Sequence, residues 1–203
     1  MPRANRDVFI NCPFDRDYQD FFYAIVFVVV RSGFHARCAL ETDDSSENRF
    51  EKICSIVQEC RYGIHDISRT DLDPGSRLPR FNMPLELGLF LGAKRFGNRS
   101  QKLKRCIVLD EQRYRFQKYI SDIAGQDIRS HQGKIAKLIE ELASWLRNQS
   151  RDPTVPGGRK MVREFSVFRK EIPKICAKRR LEPDELTFGD YADMVAEYLA
   201  QVA

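Results

Sequence analysis

At 203 residues, 42% hydrophobic and 31% charged, the chain can bury a sizeable core and is too apolar for intrinsic disorder. Its longest apolar run, residues 21–30, is too short to cross a bilayer, and residues 1–7 have no apolar signal core. The expectation is a cytoplasmic protein of formal net charge +5, with no membrane segment and no export signal.

Apolar stretches alternate with helical patterns along the chain, the signature of βαβ units and a parallel sheet. The order read from the sequence is strand 7–11, helix 17–32, strand 34–39, helix 48–59, strand 62–67, helix 83–96 and strand 104–109. A helix over 113–123, an extended piece at 126–130 and a helix over 132–148 follow. Residues 21–30 are rich in β-branched side chains, as in a strand, but the right-handed crossover between the first two parallel strands requires a helix there. In the next helix Phe50, Ile53, Ile56 and Val57 share one face while Glu51 and Lys52 point outward. The fold class is therefore α/β, a flavodoxin-like parallel sheet of about five strands flanked by helices, with Phe9, Ile64 and Val108 on central strands.

A boundary is expected over 147–160, where RNQSRDPTVPGGRK combines two prolines, two glycines and charges. It separates an α/β domain, 1–150, from a basic helical extension, 151–203, with helices at 161–181 and 190–201. Residues 151–181 hold ten Lys or Arg against three Asp or Glu. Because these cations are spread around the helix, and Val167, Phe168, Ile172 and Ile175 call for burial, a solvated face is favoured over a nucleic-acid surface.

The six cysteines, at positions 12, 38, 54, 60, 106 and 176, form no Cys-x-x-Cys pair and have no histidine at zinc spacing, so reduced thiols and no metal are expected. His35 and His131 have no ligand set around them, and His65 should point away from the Asp66 face of its strand. Gly75-Ser76-Arg77 lacks the lysine of a phosphate-binding loop.

The most informative stretch is YGIHDISR followed by FNMPLELGLFLGAKRF. It places Asp66 at the tip of a buried strand and Glu86 in what reads as the first turn of a helix, with Asn82 as N-cap and Pro84 tolerated behind it. Leu85, Leu89, Ala93 and Phe96 form the apolar stripe expected to pack on the sheet, with Gly88 and Gly92 as a flat strip beside it. An early-turn glutamate is often only a dipole complement. Here, however, Asp66, Glu86 and the loop Cys12-Pro13-Phe14 after the first strand converge on the carboxyl edge of the sheet, where α/β proteins bind ligands.

The ordered triple FINCPF, HDIS and NMPLELG resembles the nucleoside 2-deoxyribosyltransferase-like superfamily and its TIR and TIR-like relatives, over about residues 7–148. Arg80-Phe81-Asn82-Met83 stands where the transferases carry an acidic-serine-glycine-threonine stretch, which is closer to the TIR-like branch. The resemblance implies an N-glycosidase that cleaves the base–ribose bond of NAD or a related nucleotide as substrate, with no further cofactor. Glu86 and Asp66 would be its catalytic carboxylates. Asn11, Cys12, Pro13, Phe14, Ser68, Asn82 and Met83 would line the substrate, with Glu41 and Asp43 at the same sheet edge. Cys12 fits either a thiolate stabilised by helix dipoles or a small residue packed under a base. The resemblance further implies a homo-oligomer or an activating protein partner and a role in bacterial antiphage defence. Two other readings share the motifs: a nucleoside or nucleotide (deoxy)ribosyltransferase or hydrolase of small-molecule metabolism, and a non-enzymatic TIR-like adaptor.

Overall fold

The computed structural model describes residues 5–69 and 81–202; residues 75–77 and Arg80, used in the sequence reading, lie outside them. Five strands, β1 (Asp7–Asn11), β2 (His35–Arg37), β3 (Tyr62–Asp66), β4 (Arg105–Asp110) and β5 (Ile128–Ser130), form one parallel sheet in the order β2-β1-β3-β4-β5. Helices α1 (Gln19–Arg31), α2 (Arg49–Glu59), α3 (Asn82–Phe96) and α4 (Ile135–Ser150) connect or follow the strands, and α5 (Gly158–Arg179) and α6 (Phe188–Val202) close the chain. This is a flavodoxin-like arrangement, and its strand order reverses between β1 and β3.

Strand alternation sorts the core into two faces. Val8, Ile10, Tyr62, Ile64, Ile107 and Leu109 pack with α1 and α4, while Phe9 packs with Ile53, Ile56, Val57 and Phe90 of α2 and α3. Lys104, buried just before β4, donates its ammonium to the carbonyls of Val57 and Cys60 at the C-terminal end of α2, where the helix dipole is negative.

Residues 24–29 of α1 are fully buried, which explains a helix that is apolar all round. One side meets the sheet, and α4, α5 and α6 cover the rest. Phe27 lies 5.3 Å from Phe165 and 5.4 Å from Phe168, and Tyr23 stacks on Tyr191 at 3.9 Å. The basic C-terminal helices thus complete the core that the sheet domain begins. Among the described residues, no helix is long and apolar enough to cross a membrane.

Three local expectations are corrected. No helix covers 113–123: two short 3-10 turns, Arg115–Lys118 and Ser121–Ile123, stand there, and Tyr114 takes a left-handed backbone at φ 63° that interrupts any helix. Asp110 drives this wrap by accepting from the Glu111 amide at 2.7 Å and pairing with Arg115 at 2.6 Å. Phe50 and Val167, expected inside, are 47% and 53% exposed. In α3 only the ends of the Leu85, Leu89, Ala93 and Phe96 stripe face outward, with Leu85 at 55% and Phe96 at 87% exposure, while Leu89 and Ala93 are half-buried against the cluster around Phe9, Ile53 and Phe90, and nothing lies within 4 Å of a side chain added at Gly88 or Gly92. The buried face is instead Met83, Glu86, Leu87 and Phe90.

Candidate functional site

The start of α3 is fixed by β1 and β3. Asn11, at the end of β1 and paired in register with His65, donates from Nδ2 to the Met83 carbonyl at 2.8 Å and lies 3.0 Å from His65 Nδ1. That contact makes Nδ1 the acceptor and leaves the ring proton on Nε2, which rests near the Phe90 ring. Burial pushes the His65 pKa down to about 3, so the imidazole is neutral. Gly63 is required beside it, since a Cβ there would sit 2.6 Å from Nε2 and 3.0 Å from the Phe90 ring.

The helix that this clamp holds begins differently from the sequence reading. Phe81, not Asn82, occupies the N-cap position and makes no side-chain cap. Asn82 is the first helical residue, and Glu86, fifth in the helix, lies past the first turn. Glu86 therefore neither caps the helix nor sits at its positive end, where the dipole falls off. It is 7% exposed, and among the described residues no hydrogen bond or ion pair reaches its carboxylate. Burial pushes its pKa up to about 7 against the opposing charge of Arg49.

Glu86 lines a groove of about 460 Å³ between α2 and α3 with Asn82, Leu85 and Leu89 on one wall and Asn48, Arg49, Phe50 and Ile53 on the other. Asn48 caps α2 by accepting from the amides of Phe50 at 2.9 Å and Glu51 at 3.3 Å, and this presents Arg49 at the groove mouth. The walls are apolar and the ends polar, a composition suited to a flat ring with hydroxyl-bearing attachments. Asn48, Arg49, Phe50 and Ile53 were not foreseen as lining residues; the sequence assigned Phe50 and Ile53 only to the apolar face of the helix over 48–59.

Asp66 occupies a different environment. It is fully buried and accepts from the Tyr18 hydroxyl at 2.6 Å, from the Ser68 amide at 2.9 Å and from the Ser68 hydroxyl. His131 Nε2 stands 3.1 Å from its second oxygen, and His131 Nδ1 accepts from the Gly133 amide, which leaves Nε2 as the nitrogen that carries a proton toward Asp66. Burial raises the Asp66 pKa, and His131, Ser68 and Tyr18 together outweigh it and hold the carboxylate below its usual range. With no exposed surface, Asp66 touches no ligand in this conformation and serves to tie the β1–α1 and β5–α4 connections to the tip of β3. His131, expected to stand alone, and Tyr18 are its unforeseen partners.

The remaining expected residues divide among several places. Asn82 shares the Glu86 groove. Met83 is buried beneath it and contributes only its carbonyl to Asn11. Cys12 and Pro13 are buried and outside the Glu86 groove, and burial with the charges of Asp66, Cys38 and Glu86 raises the Cys12 thiol far above its ordinary value, which disfavours a thiolate. Phe14 lines a separate cleft of about 440 Å³ on the α1 side with Arg16, Phe22, Tyr23 and Phe188. Glu41 is held by Arg37 through two contacts of 2.7 Å and borders a third groove, and Asp43 is exposed on the loop beyond it. Ser68 is consumed by Asp66.

Among the described residues no group of three or more His, Cys, Asp or Glu is placed to hold a metal ion. Comparison with protein-family models, curated proteins and solved structures finds no match for this chain.

Proposed function

We propose that the groove between α2 and α3 is an N-glycosidic active site in which Glu86 is the catalytic carboxylate and NAD or a related nucleotide is the substrate. The observation that carries this reading is a carboxylate without a partner among the described residues, 7% exposed, lining a groove and having no capping role in its own helix. Burying a carboxylate without partners costs free energy, and such groups concentrate where chemistry uses them.

Breaking the bond between ribose and base develops positive charge on the sugar, and an ionised carboxylate beside the anomeric carbon stabilises it. With a pKa near 7, Glu86 is also suited to take a proton from the water that adds to that carbon as the base departs. A pyridinium base leaves as a neutral molecule and needs no general acid. Its positive charge, when bound, also favours the ionised form of Glu86. Leu85, Leu89 and Phe50 supply apolar walls for the base, and Asn82 and Asn48 supply polar groups for the ribose. A cytoplasmic setting, which rests on the composition, and a role in bacterial defence and activation by a second copy or a protein partner, which rest on the motif resemblance alone, belong to the same proposal.

The test is to incubate the purified protein with NAD, deoxynucleosides and nucleoside monophosphates and separate the products by chromatography. Free base released from NAD or a nucleotide supports the proposal. Base exchange between deoxynucleosides favours the transferase, and no cleavage of any substrate, with the chain crowded or alone, favours the adaptor.

A further inference from the structure

The cations of α5 divide into two sets that the linear sequence does not distinguish. Arg169 and Arg179 are neutralised within the molecule, by Asp20 at 2.9 Å and Glu197 at 2.7 Å, and Lys160 has a loose contact of 3.8 Å with Glu164, whose carboxylate is held by Arg31 at 2.7 Å. Arg159, Arg163, Lys170, Lys174 and Lys178 are all exposed and follow one another at steps of four, seven, four and four residues. Those steps place them in one row along the helix, opposite the buried face of Met161, Phe165, Phe168 and Cys176. Among the described residues, only Lys174 of the row has an acid partner, Glu171 at a loose 3.7 Å.

We propose that this row is a docking surface for the phosphodiester backbone of double-stranded nucleic acid, bound without regard to base sequence. The proposal is independent of the Glu86 groove. At a rise of 1.5 Å per residue the row is about 28 Å long, with neighbouring charges about 6 or 10 Å apart, a positive track facing water that passes Pro173 between Lys170 and Lys174. Interfaces of this kind draw affinity from phosphate contacts and displaced counterions. Single strands are disfavoured because the row contains no aromatic side chain on which bases could stack. A lipid surface is disfavoured because the apolar face of α5 is already buried against α1, α4 and α6, leaving Val167 as the exposed apolar side chain between the cations.

The test measures binding of the full chain to fluorescent duplex DNA and duplex RNA, two unrelated sequences of each, by anisotropy at increasing salt. Five phosphate contacts predict a slope of log K against log salt of about −4 to −5, an affinity loss of roughly 500-fold between about 50 and 200 mM, and the same affinity for both sequences. Whether DNA, RNA or both bind identifies the source of the backbone. The variant Arg159→Glu/Lys170→Glu/Lys174→Glu should lose about tenfold or more, whereas Arg95→Glu/Arg99→Glu/Lys102→Glu, exposed cations elsewhere with the same charge change, should lose far less. Melting curves establish that both variants are folded, and the wild-type salt slope stands without them. No binding at low salt, a slope shallower than about −2, or equal losses in the two variants overturns the proposal. So does tighter binding to phosphatidylserine vesicles, or displacement of the duplex by an equal charge of polyglutamate.

Discussion

Asn11 Nδ2 donates to the Met83 carbonyl at 2.8 Å, so the end of β1 holds the first turn of α3 three residues before Glu86. The same nitrogen rests against neutral His65, and one buried side chain thereby fixes the helix start to two neighbouring strands. Asn11→Ala leaves the Met83 carbonyl and the His65 acceptor unpaired and should cost about 2–3 kcal/mol, a melting-temperature drop of roughly 4–12 °C at this chain length. Scanning calorimetry checks it; an unchanged melting temperature would show that α3 is held by other contacts. If Glu86 is catalytic, the surviving folded protein should also lose turnover.

Glu86→Gln separates chemistry from stability. Loss of the negative charge should slow base release by about 100-fold or more under conditions where the wild type is active. Folding should respond in the opposite sense. The folded-state pKa of about 7 exceeds the ordinary 4.5, so folded Glu86 binds its proton more tightly than the unfolded chain does. Wild-type stability from this group is complete below pH 4.5, declines as pH rises from there to 7, and levels off above it. The variant should match the wild type near pH 4 and exceed it at pH 8 by up to about 3 kcal/mol. Melting curves at the two pH values decide this, and a variant no more stable at pH 8 would mean that Glu86 ionises without penalty.

The rate should carry the same ionisation. With Glu86 required as carboxylate, kcat/KM should fall about tenfold per pH unit below a midpoint near 7. A flat profile between pH 5 and 8 would assign the chemistry to another group.

Asp66 should behave as a positioning residue. Tyr18→Phe removes one of its hydrogen bonds from a buried site and should cost about 1–2 kcal/mol, while turnover of the folded protein changes by less than about threefold. Asp66→Ala should destabilise by about 3–5 kcal/mol, because Tyr18, Ser68 and His131 lose their common acceptor. Near-normal melting of Asp66→Ala with abolished turnover would return Asp66 to the catalytic pair.

Removing residues 151–203 should not release an independent sheet domain. Phe27 would lose Phe165 and Phe168, and Tyr23 would lose Tyr191, exposing the outer face of α1. The truncated chain is expected to aggregate or to bind a hydrophobic dye without a cooperative melting transition; a monomer with a sharp transition would refute this.

Much of the sheet was legible because its signals are local. The short apolar runs at Val8–Asn11 and Tyr62–Asp66 and the apolar period of α2 need only neighbours in sequence, and so does the placing of Asp66 at a strand tip. The 3-10 turns after β4 were not legible, because Asp110, whose carboxylate takes the Glu111 amide and Arg115, reads in sequence only as a strand end.

The sequence by itself determined the α/β order, the parallel sheet and the presence of a carboxylate soon after the start of α3. Which face of α3 goes inside was decided by tertiary structure. Leu85, Leu89 and Ala93 make one apolar stripe and Met83, Leu87 and Phe90 make another, so periodicity allows either to be buried. Asn11 gripping the Met83 carbonyl, and Phe90 lying over Gly63 and His65, select the second stripe and carry Glu86 inward with it. The same holds for α5, whose cations are alike in sequence. Only the placement of Asp20 and Glu197 decides which are neutralised and which, among the described residues, face the solvent without a close acidic partner, because charge pairing acts through distance in space and not along the chain.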